Sequence, residues 1–388
     1  MRNLEKDMDN HDKNALLLFE QIMGFDTQNP PGHEKPLAEF ITGYLKTAGE
    51  DAKVSEICEG RANVVARIIG GSGKPLILCG HMDTVPCGDP SRWHCNPVGL
   101  TSEGGLLRGR GSSDMKSGLA AMLYAFRQYC GLKEKPQCDI LFFGTADEES
   151  DGMGARALLG ESALKNVAAV VIGEPTGNQI ALASKGVLWL DFLIKGRASH
   201  AAYPHDGINA VDMAYELAAR IEKLCRGYTH KYLTPPSCTI TGITGGVKVN
   251  MVPDSCALTL DVRTVPALAH SVLLLQINET ARALCAGHPG LDITLDVRGN
   301  RPAVETCADN ETVRRLSDIR TSVCGTPTEY MGTGYFSDAS VFVGAGAVPA
   351  VLFGPGLPDQ AHVPDEYVET DAYLKSVRCY EALIGSCF

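Results

Sequence analysis

Two adjacent glutamates follow an apolar run in the stretch TADEESDGMG, at residues 145–154. Adjacent acids repel each other, and the nearby sequence offers neither Glu148 nor Glu149 a helix end or an opposite charge. Consecutive side chains diverge, so one carboxylate can bind a metal ion while the other acts on a water molecule bound to that ion. Because the pair follows the predicted buried strand DILFFG, it indicates metal-assisted hydrolysis with Glu148 as the general base, rather than an exposed acidic loop.

Further acids and histidines occupy similar places in the sequence. Each follows a predicted strand or lies in a glycine-rich loop: His81 and Asp83 in LILCGHMDTVP, Asp114 in GRGSSDMKSG, Glu174 in VVIGEPT and His362 in GPGLPDQAHVPDE. Taken singly, such a histidine is usually a hydrogen-bonded polar residue, and a loop aspartate usually forms a turn. Ligands of open α/β sheets bind beyond the carboxyl ends of the strands, so we expect all these residues to converge in one crevice.

This combination of side chains favours a metal centre. Imidazole and carboxylate ligands together suit zinc or a similar divalent ion. Two histidines with several acids are too many for one tetrahedral site and fit two ions that share a bridging carboxylate. In an extended chain His81 and Asp83 point to the same side. We therefore expect the Asp83 carboxylate to accept the second imidazole N–H, to orient the ring and to raise its basicity.

Other catalytic and nucleotide-binding motifs are incomplete. The stretch IGGSGKP lacks the first glycine of a phosphate-binding loop and has Pro75 where Ser or Thr should follow the lysine. In GRGSSD, Asp114 stands where GxGxxG requires its third glycine, and no GxSxG motif occurs. The sequence therefore has no phosphate-binding loop that would support a nucleotide-binding function.

The elements that must position these residues alternate between helices and buried strands. Helical apolar spacing is found in ALLLFEQIMGF, KPLAEFITGYLKTAG and SGLAAMLYAFRQYC, and continuous apolar strands in NVVARII, PLILCG, DILFFG and AAVVIG. This alternation is typical of a layered α/β sheet. It resumes near the C-terminus, where the helices NETVRRLSDIRTSV and DAYLKSVRCYEALIGS flank an apolar run.

The middle of the chain has a different order of elements. Strands are predicted at 187–196, 237–246, 256–264 and 291–297, and helices at 208–226 and 271–286. The resulting β-α-β-β-α-β order is ferredoxin-like, and the alternation in LTLDVR predicts one solvated sheet face. We therefore predict an α/β catalytic domain formed by residues 1–179 and 296–388, interrupted by an α+β domain at 180–295.

Length, charge and cysteine usage limit the class of protein. A chain of 388 residues suggests two domains, and a formal net charge of −11 disfavours a nucleic-acid partner. The N-terminal stretch MRNLEKDMDNHDKN has no signal-peptide core, and no apolar run is long enough to span a bilayer. We expect a cytoplasmic protein with no membrane partner. Its 14 cysteines form no CxxC pair and are expected to be reduced.

Five segments together resemble the M20 family of di-zinc metallopeptidases and amidohydrolases. They are GHMDTVP, GRGSSDMKSG, ADEESDGMGA, GEPT and GRASHAAYPHDGINA, and the likeness extends from NPPGHE near residue 30 to QAHVPDEYV near residue 365. The resemblance implies a zinc-peptidase-like α/β/α catalytic domain with an inserted ferredoxin-like lid and dimerisation domain. The chain would then form a homodimer through that insert.

The resemblance also implies two Zn2+ per subunit, for which Co2+ or Mn2+ can substitute. The implied ligands are His81 and Glu174 on one ion, Glu149 and His362 on the other, and Asp114 between them, with Glu148 as the base. The family often has a cis peptide after the bridging aspartate, here Asp114–Met115.

Three residues of the insert match family residues that act on the substrate. His200 in ASHAAYP matches a histidine that donates to the developing oxyanion, reaching across from the partner subunit. Asn250 and Arg263 match lid residues that contact substrate, and a guanidinium pairs bidentately with a carboxylate, which suits an N-acyl amino acid. Without the family, His200 is a turn or helix-entry residue and Arg263 a solvent-facing strand residue.

These implications predict a zinc-dependent amidohydrolase that releases the acyl group of an N-acyl amino acid. GEPT and PDQAHVPDEYV favour the acetylornithine deacetylase and succinyl-diaminopimelate desuccinylase branch. The alternatives are an M20-type dipeptidase or carboxypeptidase, which would take a dipeptide substrate, and a metal-binding homologue without catalysis. Lid side chains and loop shapes decide the acyl group and the amino acid, so the sequence leaves both open.

Overall fold

The computed structural model describes residues 8–160, 164, 166–346 and 348–388. The first seven residues of the charged N-terminal stretch, and Ala347 within the late apolar run, lie outside the described residues. The described helices are α1 (Asn10–Met23), α2 (Glu34–Lys46), α3 (Lys116–Gln128), α4 (Met153–Leu158), α5 (Ala210–Leu224), α6 (His270–Gly287), α7 (Glu311–Cys324), α8 (Ala339–Gly346) and α9 (Thr370–Gly385). Each of them is too short or too polar to cross a membrane.

The described strands fall into three sheets. In chain order they are β1 (Ala52–Cys58), β2 (Arg61–Ile68), β3 (Gly73–His81), β4 (Thr101–Glu103), β5 (Leu106–Arg108), β6 (Cys138–Thr145), β7 (Ala169–Ile172), β8 (Ile180–Ser184), β9 (Gly186–Lys195), β10 (Ser237–Gly245), β11 (Ser255–Thr264), β12 (Asp292–Arg301), β13 (Val304–Glu305), β14 (Tyr330–Thr333), β15 (Ala350–Leu352) and β16 (Tyr367–Glu369). The chain divides into a larger unit, formed by Met1–Leu182, Glu305–Thr333 and Ser337–Phe388, and an inserted unit, formed by Ala183–Val304 with Gly334–Phe336.

The main sheet has a parallel centre made of the predicted apolar strands. Its order is β1-β2-β6-β3-β7-β15-β8-β13, with β14 paired to β8. Strands β6, β3, β7 and β15 are parallel, whereas β1 and β2 extend the sheet in antiparallel pairing. Leu78 of β3 lies opposite Phe142 of β6 and Val171 of β7, and all three are fully buried. Apolar side chains on continuous runs therefore form the core, as the sequence predicts.

Helix α3 approaches the main sheet closely because it carries a glycine at the contact. A methyl group at Gly118 would lie 1.9 Å from the carbonyl oxygen of Gly173, at the end of β7. Every residue from Lys116 to Phe126 of this helix is buried, so the helix has little room to shift outward. By contrast, a methyl group at Gly43 in α2 would have no atom within 4 Å.

The inserted unit has the predicted ferredoxin-like order of elements. Its antiparallel sheet runs β10-β11-β9-β12, and helices α5 and α6 contribute to a common apolar core with it. Alternate residues of β9, such as Leu188 and Leu190, are fully buried, whereas Trp189 between them is partly exposed. This alternation leaves one sheet face solvated.

The inserted unit ends later than predicted. It extends to Val304 rather than residue 295, because β12 remains paired with β9 as far as Arg301. The segment Gly334–Phe336 also belongs to it, since the Phe336 ring packs edge-on against Trp189 at 5.8 Å. The Arg301 guanidinium lies 5.0 Å from the centre of the Phe336 ring.

Candidate metal centre

The carboxyl ends of three parallel strands bring the predicted ligands together. His81 is the last residue of β3 and pairs with Thr145 of β6, so Glu148 and Glu149 follow just beyond that edge. Glu174 comes two residues after β7, which pairs with β3 on its other side. Asp114 lies in the loop immediately before α3. The crevice beyond these strand ends is where an α/β sheet binds its ligands.

The carboxylate of Asp114 lies between two imidazoles. His81, Asp114 and Glu149 each offer a ligand atom within 4.8 Å of the others. Oδ1 of Asp114 lies 3.2 Å from Nε2 of His81, and its Oδ2 lies 3.4 Å from Nε2 of His362. Nε2 of His362 also lies 3.2 Å from Oε2 of Glu149. One carboxylate facing two separate imidazoles is the arrangement expected of a bridging ligand. The peptide after it, Asp114–Met115, is cis as predicted.

Two further glutamates are buried at the same place. Burial raises the pKa of Glu174 well above its ordinary value, and the nearby Asp114 carboxylate raises it further. Burial likewise raises the pKa of Glu148 well above its ordinary value, although His81 opposes this effect. Oε1 of Glu174 has no hydrogen-bond partner among the described residues. A buried carboxylate oxygen without a donor is costly unless a cation compensates it, so this site suits positively charged ligands.

The histidines are held in the same negative field. Hydrogen bonds to Asp114 and Glu149 raise the pKa of His362 to about 10. Burial alone would lower the pKa of His81, but Asp114 and the surrounding carboxylates raise it well above its ordinary value. Two imidazoles and three carboxylates converge at one negative site, in which His81 is buried and the His362 side chain is 51% exposed. This donor set fits two divalent metal ions.

Asp83 makes contacts that differ from the prediction. Nδ1 of His81 lies 2.9 Å from the backbone carbonyl oxygen of Asp83 but 3.6 Å from its carboxylate, beyond hydrogen-bond range. The carboxylate instead accepts the backbone N–H groups of Glu148 (3.1 Å) and Glu149 (3.2 Å) and the side-chain amide of Asn29 (2.9 Å). The predicted contact was therefore wrong in its acceptor atom, because these three donors engage the carboxylate. Asp83 orients the His81 ring through its main chain and the glutamate pair through its side chain.

Comparison with known proteins agrees with this site. The family model described as Peptidase family M20/M25/M40 matches residues 77–386. The chain belongs to the M20 family. It is 29% identical to a probable succinyl-diaminopimelate desuccinylase of Staphylococcus epidermidis, over 95% of this chain and 96% of that protein. It is 30% identical to an acetylornithine deacetylase of Proteus mirabilis, over 94% of this chain and 92% of that protein.

The fold agrees with solved M20 structures. The M20 family metallo-carboxypeptidase of Sulfolobus solfataricus superposes with a TM-score of 0.77 at 20% identity, over 97% of this chain and 99% of that one. The predicted α/β class with an inserted α+β unit is therefore confirmed. Because M20 proteins are peptidases, the chain belongs to a family of hydrolases.

Several residues that support the M20 site were missed by the sequence analysis. Arg61 donates to Asp147 at 2.7 Å and to Glu34 at 3.0 Å, and all three side chains are buried. Asp147 precedes the glutamate pair and has a left-handed backbone conformation, with φ of 68°. Its position beside the pair was the only signal in the sequence. Glu366, whose carboxylate accepts the backbone N–H of Asp114, was also missed.

The other predicted site residues of this M20 chain lie in the inserted unit. The N–H of Ala201 donates to the carbonyl of Asn250 at 3.0 Å, so His200 and Asn250 lie on adjacent segments. Both side chains are exposed. Arg263 is bound by the carboxylate of Asp261, at 2.7 Å and 2.9 Å, and by no other carboxylate among the described residues. The roles of His200, Asn250 and Arg263 in substrate binding stay predictions.

Proposed function

We propose that this protein is a zinc-dependent amidohydrolase that releases the acyl group from an N-acyl amino acid. The observation that carries the proposal is the Asp114 carboxylate, whose two oxygens face the imidazoles of His81 and His362. Together with Glu149 and Glu174, these residues would hold two zinc ions. Imidazole and carboxylate ligands favour zinc over magnesium or calcium, which take mainly oxygen ligands.

In this proposal Glu148 moves the proton. Bound zinc supplies Lewis acidity towards the amide carbonyl and lowers the pKa of a bound water. Glu148 accepts the proton of the attacking water and returns it to the departing amine nitrogen. Its side chain is buried, so bulk water has little access to the proton between the two steps. The Asp83 carboxylate keeps Glu148 in place through its backbone N–H. His200 is proposed to donate to the developing oxyanion.

The substrate class is supported by the similarity to two relatives. One is named a probable succinyl-diaminopimelate desuccinylase and the other an acetylornithine deacetylase, and both names denote removal of an acyl group from an amino acid. We propose that this chain acts on a substrate of the same class. Arg263 is proposed to bind the substrate carboxylate, which would replace the Asp261 carboxylate as its partner.

A substrate panel with a matched variant tests the proposal. The zinc-loaded protein is assayed with acetyl-ornithine, succinyl-diaminopimelate and simple dipeptides, and hydrolysis of an N-acyl amino acid is expected. Glu148→Gln should lower kcat by about 100- to 10,000-fold, the range lost with a general base, while the zinc content stays unchanged. A preference for dipeptides would favour the dipeptidase alternative. Full activity of the variant would show that Glu148 is not the base.

We also propose a homodimer that forms through the inserted unit. Strand β10 is an edge strand that, among the described residues, pairs only with β11, and its Ile240 and Ile243 are exposed. In the loop that follows, Val247 and Val249 are 85% and 98% exposed. An edge strand with exposed apolar side chains is a typical pairing surface.

The dimer is tested by measuring molar mass with light scattering during gel filtration. The wild type should elute as a dimer, and the double variant Ile243→Lys, Val249→Lys as a monomer. Leu132→Lys, at a similarly exposed apolar residue of the larger unit, should leave the dimer intact. A monomeric wild type at micromolar concentration would exclude this dimer.

A further inference from the structure

Glu366 is a fully buried carboxylate four residues after His362. Its Oε1 accepts three backbone N–H groups of the loop before α3, from Gly111 (3.1 Å), Ser113 (2.8 Å) and Asp114 (2.9 Å). A movement of the backbone at Gly111, Ser113 or Asp114 would break at least one of these hydrogen bonds. The donors converge on a single oxygen atom, so the carboxylate fixes the conformation of the loop that carries Asp114.

The other oxygen of Glu366 is held equally firmly. Arg110 donates to Oε2 at 2.6 Å, and both side chains are buried. The Arg110 guanidinium lies 5.1 Å from the centre of the Trp93 ring, which fixes its position from another side. The main chain adds a further link, because the N–H of Gly109 donates to the carbonyl of Glu366 at 3.0 Å. The Arg110–Glu366 contact joins two opposite charges, and such a charge-assisted hydrogen bond is stronger than a neutral one.

Glu366 therefore joins two segments that each supply a predicted ligand. His362 and Glu366 belong to one segment, and Asp114 belongs to the other. Glu366 is four residues after His362 and is hydrogen-bonded to the Asp114 loop, so it links the two segments whose side chains lie 3.4 Å apart, at Asp114 Oδ2 and His362 Nε2. Asp83 links two ligand segments in a similar way. It lies two residues after His81, and its carboxylate accepts the backbone N–H groups of Glu148 and Glu149.

We propose that Glu366 is a positioning residue for the bridging ligand Asp114, an inference that rests on the proposed metal-dependent function. Both oxygens of Glu366 are engaged by Arg110 and by the N–H groups of the Asp114 loop, so Glu366 acts through the backbone of that loop. A glutamine at this position keeps the shape of the side chain. However, it presents an amide NH2 group either to Arg110 or to the three N–H donors, all of which need an acceptor. The loop must then move, and Asp114 moves with it.

Metal affinity distinguishes this role from a contribution to stability alone. Metal-free wild type, Glu366→Gln and the control Asp139→Asn are titrated with Zn2+ against a chromophoric chelator, and the absorption spectrum of each Co2+-loaded protein is recorded. Asp139 is a matched control because its carboxylate also accepts a backbone N–H, that of Gly70 at 2.8 Å, and pairs with an arginine, Arg67. It lies at the start of β6, whereas the predicted ligands lie beyond the other end of that strand. The wild type and Asp139→Asn should bind two ions with the same affinities and spectra.

Glu366→Gln should bind at least one of the two ions about 10- to 100-fold more weakly, the usual cost of losing a residue that orients a ligand, with an altered Co2+ spectrum. Wild-type affinities and an unchanged spectrum in this variant would overturn the proposal. If Glu366→Gln does not fold, Glu366→Asp decides in the same way, since it keeps the charge but withdraws the carboxylate from the loop. A wild type that binds no divalent ion would instead overturn the proposed function itself.

Discussion

The contact between helix α3 and the end of β7 predicts opposite effects for the same substitution at two helical glycines. At Gly118 an added methyl group would lie 1.9 Å from the carbonyl oxygen of Gly173, and at Gly43 it would meet no atom within 4 Å. Both positions lie within helices, so both variants gain the lower backbone entropy that alanine brings to the unfolded chain. Only Gly118→Ala creates a clash.

The magnitudes follow from these two terms. Alanine is favoured over glycine within a helix by about 0.5–1 kcal/mol, so Gly43→Ala should stabilise the protein by roughly that amount. Inserting a methyl group into a packed interior costs about 1–3 kcal/mol, and here the obstacle is a backbone oxygen that cannot rotate away. Because the helix term is common to both variants, Gly118→Ala should be less stable than Gly43→Ala by about 1–3 kcal/mol.

Urea unfolding of the metal-free variants, followed by circular dichroism, measures this difference as a shift of the transition midpoint. A second readout is zinc affinity, since Gly173 directly precedes Glu174. Gly118→Ala should bind zinc more weakly than the wild type, and Gly43→Ala should bind it equally well. If Gly118→Ala proved as stable as Gly43→Ala, the close approach of α3 to β7 would be refuted.

Two further substitutions test buried hydrogen bonds. Asp83→Asn leaves an amide NH2 group facing at least one backbone N–H of the glutamate pair, so it should lower the free energy of unfolding by about 1–3 kcal/mol and reduce kcat without removing zinc. His270 lies 2.7 Å from Thr264 Oγ1 and 2.7 Å from Asn300 Oδ1, and burial lowers its pKa below 6.5. Its neutral form therefore contributes stability that is fully present above about pH 6.5 and is lost as the pH falls through the folded-state pKa. The difference in urea midpoint between wild type and His270→Gln should be smaller at pH 5.5 than at pH 7.5, and an unchanged difference would contradict the assignment.

Much of the fold follows from the hydrophobic pattern of the sequence. Strands β3, β6 and β7 are continuous apolar runs because both of their faces are covered, and such runs are conspicuous. Strands β4, β5 and β16 were not predicted, since three residues are too few to show a period. The end of the inserted unit was missed for another reason: β12 lies at a sheet edge, so its last residues pair through the backbone without an apolar pattern.

The candidate ligands were predictable because each donor follows a strand end or lies in a glycine-rich loop. Asp83 was predicted as an orienting residue but with a different contact, and Arg61 and Glu366 were not predicted. These three residues act largely by hydrogen bonds to carboxylates or backbone N–H groups far away in sequence, and no spacing rule encodes such contacts. A buried ion pair such as Arg110–Glu366 involves residue types that are mostly exposed, so composition points away from it.

The bond between Glu366 and the Asp114 N–H closes a loop of 252 residues. During synthesis, His81, Asp114 and Glu149 leave the ribosome long before Glu366 and His362 exist. Until residues 362–366 emerge, the loop around Asp114 lacks its acceptor and the centre lacks one imidazole. We therefore expect metal loading to follow synthesis of the segment that carries His362 and Glu366, so that shorter nascent chains do not sequester zinc.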